Sequence, residues 1–202
     1  MDTLVKSPVM LYTEQTPNPE TLKFVLNRII YKGIADFKTA DQAFQWSPFA
    51  SAMFEFPFVK AVYLCNNFVT ITKESTVEWN DIMLELKEYI KAYIADGKTV
   101  INEGYQEYID QLERENSSIQ YNEADTELVK RIKDLIETYV KPAVEMDGGN
   151  IEFKSFEQGT VYVIMQGSCS GCPSSTVTLK AGIEGMLKRM IPEVKEVVAE
   201  MG

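Results

Sequence analysis

The chain has 202 residues, 45% of them apolar, and a formal net charge of -10 from 30 acidic and 20 basic side chains. That length suits one large or two small domains with their own cores, while the acidic balance argues against nucleic acid as a partner, since a phosphate backbone needs clustered Lys and Arg. There is no histidine, which excludes Ser-His-Asp and Cys-His nucleophiles, His-ligated zinc and the usual general base near neutral pH.

The first residues, Met1-Asp2-Thr3-Leu4-Val5-Lys6-Ser7-Pro8, have neither the pattern of a signal peptide nor that of a transit peptide, and no apolar run approaches membrane-spanning length. The three cysteines, two of them in one CxxC, do not make a secreted disulfide framework. A cytoplasmic protein with no membrane partner is the expectation.

Thr16-Pro17-Asn18-Pro19 reads as a turn, followed by a strand over Leu22-Lys23-Phe24-Val25-Leu26, with a second short strand at Ile29 to Tyr31. Thr39 or Asp41 caps a helical turn through Phe44, and Ser47-Pro48 opens another helix through Met53. The aromatics Phe44, Trp46, Phe49, Phe54, Phe56 and Phe58 are assigned to an N-terminal core, with a hydrophobic partner groove as the alternative. Val59 to Leu64 and Phe68 to Thr72 form a hairpin around an Asn turn, with Cys65 beside it as an inert small side chain rather than a ligand or redox group. Trp79 to Ile94 carries helical periodicity and ends at Asp96-Gly97.

Between Val100 and Asp125 the composition turns acidic, with Arg114 the only cation. This stretch reads as a solvated connector holding a helix over Tyr105 to Arg114, then a loop at Glu115-Asn116-Ser117-Ser118. Asp125 caps the next helix, whose apolar face is Leu128, Ile132, Leu135, Ile136 and Tyr139 and whose end Pro142 marks. Asp147-Gly148-Gly149 is a turn, and Ile151 to Phe156 with Val161 to Met165 alternate around Glu157-Gln158-Gly159 as a hairpin. A helix from Ser174, with Ile183, Leu187 and Met190 on one face, and a strand near Val194 to Ala199 complete an α-β-β-α-β order. The fold class is therefore α+β, two small domains joined by the connector. Met165, Met186 and Met190 read as core filler.

Gly167-Ser168-Cys169-Ser170-Gly171-Cys172-Pro173-Ser174-Ser175 is the stretch that carries chemistry. Its two thiols fall in a strand-to-helix loop, where the helix dipole and unpaired N–H groups make at least Cys172 easier to ionise than a free cysteine. Thiolate is the metal-binding form. The small Ser168, Ser170 and Gly171 let a bulky inorganic ligand approach the backbone. Two ligands are nevertheless too few for an iron-sulfur cluster or structural zinc, which take four.

Met146-Asp147-Gly148-Gly149-Asn150-Ile151, the run from Gly167 to Glu184, and Ile191-Pro192-Glu193-Val194 closely resemble the C-terminal domain of Nfu-type proteins, the NifU-like iron-sulfur cluster scaffolds. Gln15-Thr16-Pro17-Asn18-Pro19, Leu22-Lys23-Phe24 and Val69-Thr70-Ile71-Thr72-Lys73 are similar to segments of the N-terminal domain found in many of them. The resemblance implies an Nfu-type domain over 1–98, an acidic connector over 99–124 and a cluster-binding domain over 125–202. It further implies that Cys169 and Cys172 hold a cluster, usually 4Fe-4S with 2Fe-2S possible, across a homodimer. Upstream cluster-assembly proteins would supply it and apo iron-sulfur clients would receive it, with no enzymatic step. Two departures stand out: Asn150 where Asp is common, and Cys65 where Gly is more usual. A thiol-disulfide oxidoreductase with Cys169 attacking and Cys172 resolving, and a zinc-bridged dimeric interaction module, are the alternatives from other classes.

Overall fold

The computed structural model describes the backbone of residues 8–116, 123–170 and 173–201. The chain divides into two units, Met1–Gln15 with Glu20–Asn102, and Thr16–Pro19 with Glu103–Gly202.

In the first unit, β1 (Leu11–Gln15), β2 (Thr21–Leu26), β3 (Tyr31–Phe37), β4 (Val59–Asn66) and β5 (Phe68–Lys73) form an antiparallel sheet in the order β1-β2-β5-β4-β3. α1 (Ala40–Trp46) and α2 (Pro48–Met53) separate β3 from β4, and α3 (Trp79–Ala95) follows β5. The caps are those the side chains predict. Thr39 accepts from the Gln42 N–H at 3.3 Å and Ser47 from the Ala50 N–H at 2.9 Å, with Pro48 opening α2. Cys65 pairs with Phe68 across the hairpin, which leaves Asn66-Asn67 as the turn, Asn66 at φ 47°.

Three differences from the expected pattern have local causes. β1 is a polar edge strand without clear alternation, so only its pairing with β2 defines it. β3 starts where the expected Ile29 to Tyr31 strand ends; a register irregularity between Tyr31 and Ile34 breaks its period, and Ile29, ahead of it, is exposed. Of the six aromatics assigned to the core only Phe49 is fully buried, and Phe44 is 81% exposed, because α1 buries only Ala43. β2 is buried along both faces. Lys23 on it is satisfied by Glu14 at 3.2 Å and lies over the Phe68 ring at 4.4 Å.

The second unit contains α4 (Tyr105–Asn116), α5 (Glu123–Leu135), a π-helical turn (Ile136–Val140), α6 (Lys141–Met146), β6 (Gly149–Glu157), β7 (Thr160–Gly167), α7 (Pro173–Met190) and β8 (Glu196–Met201). α4 extends through Glu115-Asn116, expected as loop, while Ser117-Ser118 lie outside the described residues. α5 begins two residues ahead of Asp125, which is therefore inside the helix rather than its cap. Pro142 does not end the helix at once. It has no N–H to offer the carbonyl four residues back, and the chain widens so that the Lys141 N–H reaches the Ile136 carbonyl. The buried stripe then follows Ile132, Ile136, Val140 and Val144, and Tyr139 faces out.

β6 and β7 are antiparallel and β8 joins β7 in parallel, with α7 as the crossover. Ile151, Val161, Val163, Met165 and Val197 from the strands meet Ile183 and Leu187 of α7 in one core. Met190, expected on that face, is exposed. The fold is α+β with the expected α-β-β-α-β order in this unit. Among the described residues, no helix is long and apolar enough to cross a membrane.

Candidate metal centre

β7 ends at Gly167 and α7 begins at Pro173, so the CxxC occupies the strand-to-helix loop that its sequence predicts. Gly171 and Cys172 lie outside the described residues. Gly167, at φ 65°, turns the chain out of β7. Its carbonyl accepts from the Ser170 N–H at 3.1 Å and from the Ser170 hydroxyl at 2.8 Å. Ser168 fastens the loop to the turn before β6: its N–H donates to the Gly148 carbonyl at 3.2 Å and its hydroxyl to the Asp147 carbonyl. Asn18, in the Thr16–Pro19 segment that groups with this unit, donates Nδ2 to the Ser168 carbonyl at 3.3 Å.

These bonds hold Cys169 inward. Its side chain is 5% exposed and belongs to the unit's apolar core. The Ser168 hydroxyl lies 3.7 Å from Sγ. Burial pushes the thiol's pKa up, the Ser168 hydroxyl opposes that rise, and the Asp147 charge adds to it. In this arrangement Cys169 is a neutral thiol at neutral pH. The easier ionisation expected at the helix N-terminus concerned Cys172, which falls outside the described residues.

The Asp147-Gly148-Gly149 turn uses its glycines in two ways. Gly148 takes φ 81°, as a turn glycine should. Gly149 is needed for space: a Cβ there would sit 2.9 Å from Cys169 Sγ and 2.6 Å from the Gln166 carbonyl oxygen. The sequence shows the two glycines but not this second role, nor the parts of Ser168 and Asn18. Loop-to-turn contacts join segments far apart in the chain and leave no periodic trace.

Asn150 follows on β6 and is fully buried. Its Nδ2 donates to Glu152 Oε1 at 2.8 Å and Gln166 Oε1 at 2.9 Å. An Asp at this position would set one carboxylate against another, so the departure to Asn suits the Glu152 beside it. Cys65 lies in the first unit's sheet, buried, with the Asn66 side-chain amide 3.4 Å from its Sγ. Among the described residues, no three His, Cys, Asp or Glu side chains are grouped to hold a metal ion.

Two family models match the chain, the scaffold protein Nfu/NifU N terminal over residues 11–97 and the NifU-like domain over residues 132–198. A human protein named NFU1 iron-sulfur cluster scaffold homolog, mitochondrial, is 37% identical over 191 residues, which cover 94% of this chain and 71% of that protein. The chain belongs to the Nfu family. Fly relatives of the same name are similar to this Nfu chain. That of Drosophila persimilis is 39% identical over 95% of this chain and 65% of its own length, and that of Drosophila grimshawi 41% identical over 93% and 60%. The chain thus spans somewhat under two thirds of the length of these two fly proteins. A solution NMR structure of a NifU-like protein from Saccharomyces cerevisiae matches 51% of this chain and 92% of that one, at 24% identity and a TM-score of 0.44.

The relatives' names correct one expectation. They are mitochondrial, which overturns the cytoplasmic location. That expectation rested on the pattern of the first eight residues, on the lack of a membrane-spanning run and on cysteine usage, and cysteine usage describes a reducing chemistry without specifying the compartment that provides it.

Proposed function

We propose that this Nfu-family chain is a carrier and not a catalyst. Two copies hold one 4Fe-4S cluster through Cys169 and Cys172 of each, receive it from upstream cluster-assembly proteins and release it to apo iron-sulfur clients. The observation that carries this reading is the CxxC between β7 and α7, within the segment that matches the NifU-like domain. One chain offers two sulfurs from that loop and a cluster takes four, so a second copy completes the set. The relatives bear the name of iron-sulfur cluster scaffolds.

The burial of Cys169 weighs against the oxidoreductase alternative. An attacking thiol works with a lowered pKa in an exposed position, whereas this one is shielded and its pKa is raised. A zinc-bridged dimer uses the same four sulfurs but is colourless.

Anaerobic reconstitution tests the proposal. The expected product is brown, has twice the mass of the chain, carries about two irons and two sulfides per chain, and converts an apo aconitase-type enzyme to its active form. Cys169→Ala and Cys172→Ala should each abolish stable loading, and Cys65→Ala should retain it. A single copy that keeps its iron as firmly as a pair would overturn the bridging. Loss of loading in Cys65→Ala alone would overturn the ligand assignment.

A further inference from the structure

Cys169 presents a geometric conflict with the role just proposed for it. A sulfur that is to share a cluster with a second chain must reach the surface, yet this one is 5% exposed and belongs to the core cluster that also holds Met165 and Ile183. The space it fills exists because residue 149 has no side chain. An added Cβ would lie 2.9 Å from Sγ and 3.2 Å from the Cys169 N, closer than carbon and sulfur can rest. The seat is closed by Ser168, whose hydroxyl donates to the Asp147 carbonyl while lying 3.7 Å from Sγ, and whose N–H donates to the Gly148 carbonyl.

We propose that Gly149 and Ser168 are positioning residues that hold the iron-free Cys169 thiol in a retracted seat, and that the loop must release the Ser168 bonds before this sulfur can bind iron. The retraction stands on the geometry alone. Its link to loading rests on the cluster-carrier reading. One consequence follows for the resting protein: Cys169 is shielded from alkylating and oxidising reagents until the loop opens. Nothing covalent occurs in this step; a hydrogen-bonded loop exchanges a closed for an open arrangement.

The experiment is residue-resolved iodoacetamide labelling of the iron-free 202-residue chain, read by mass spectrometry, with Cys65 as an internal reference. In the native protein Cys169 should label at least tenfold more slowly than in the same protein unfolded in urea. Ser168→Ala removes one closing hydrogen bond and should raise the Cys169 rate about tenfold, the ratio expected from one ordinary hydrogen bond, with Cys65 unchanged. Gly149→Ala should raise it further, since the added Cβ occupies the seat. Because that Cβ also meets the Gln166 carbonyl at 2.6 Å, Ser168→Ala is the deciding variant. Native Cys169 labelling as fast as in urea would overturn the retracted seat, as would equal acceleration of Cys65 and Cys169 in Ser168→Ala.

Iron uptake is then measured separately. Faster anaerobic loading of Ser168→Ala by the same factor supports opening as the step before binding, and unchanged loading despite faster labelling overturns it. A native chain that takes up no iron would end the carrier reading while leaving the labelling result standing, so the two failures are distinguishable.

Discussion

Cys65 and Cys169 are both buried thiols, and they are buried by different means. Cys65 sits in β4, opposite Ile34 of β3 and Phe68 of β5, so ladders on both sides must break before a reagent reaches it. Cys169 sits past the end of β7, in a loop tied down by the bonds of Ser168, Ser170 and Asn18. Similarly low exposure thus conceals unequal cost. Opening a loop breaks a few bonds, whereas freeing β4 requires breaking its ladders with both β3 and β5. A thiol meant to stay inert belongs in the sheet, and one that has to change state belongs in the loop.

The comparison can be broken most forcefully at Phe68, which shares a buried cluster with Cys65, Tyr63 and Val25. Phe68→Ala should cost about 3–5 kcal/mol and speed Cys65 labelling at least ~100-fold, because tenfold corresponds to about 1.4 kcal/mol. Urea melts and labelling rates should move together; Cys65 accelerating without a loss of stability would show that the ladder does not protect it.

A smaller effect is expected at Ser47. Its hydroxyl caps α2 at the Ala50 N–H and donates to the Val100 carbonyl at 2.7 Å. Ser47→Ala should lower stability by about 1–2 kcal/mol and raise Cys65 labelling about 5–30-fold. A melt unchanged from the native protein would remove the cap from the stability of this unit.

The smallest effect belongs to Glu184 on α7, whose pKa is held below the usual glutamate range first by the Lys188 ammonium and then by the Val197 N–H. Its folded pKa is lower than its unfolded one. The carboxylate therefore contributes stability above the unfolded value, and that contribution is lost as pH falls through the folded value. In Glu184→Gln the melting temperature should fall slightly at pH 7, and the gap from the native protein should close towards pH 3, with Cys169 labelling at neutral pH unchanged. A gap that widens in acid would reverse the assignment.

Much of the fold was legible locally. The caps at Thr39 and Ser47, the Asn66 turn and the extent of α3 follow from side chains acting within a few residues of themselves. So does the placement of the CxxC between a strand and a helix, because Gly167 and Pro173 mark the two boundaries. β1 and β3 were not legible, since a polar edge strand and a bulged strand owe their existence to the partners beside them. The outward turn of Tyr139 depended on how the chain resolved the missing N–H of Pro142.

At the candidate site the division is sharper. Two sulfurs spaced for a metal, small neighbours around them and a helix to follow are properties of adjacent residues, and the amino-acid order alone determines them. Whether a given sulfur faces solvent or the interior depends on what the fold brings against it from elsewhere. Here that is Gly149, which is 20 positions away and lacks the atom that would push Cys169 out. Chain proximity sets which groups can act together, but only packing between distant segments decides which are available.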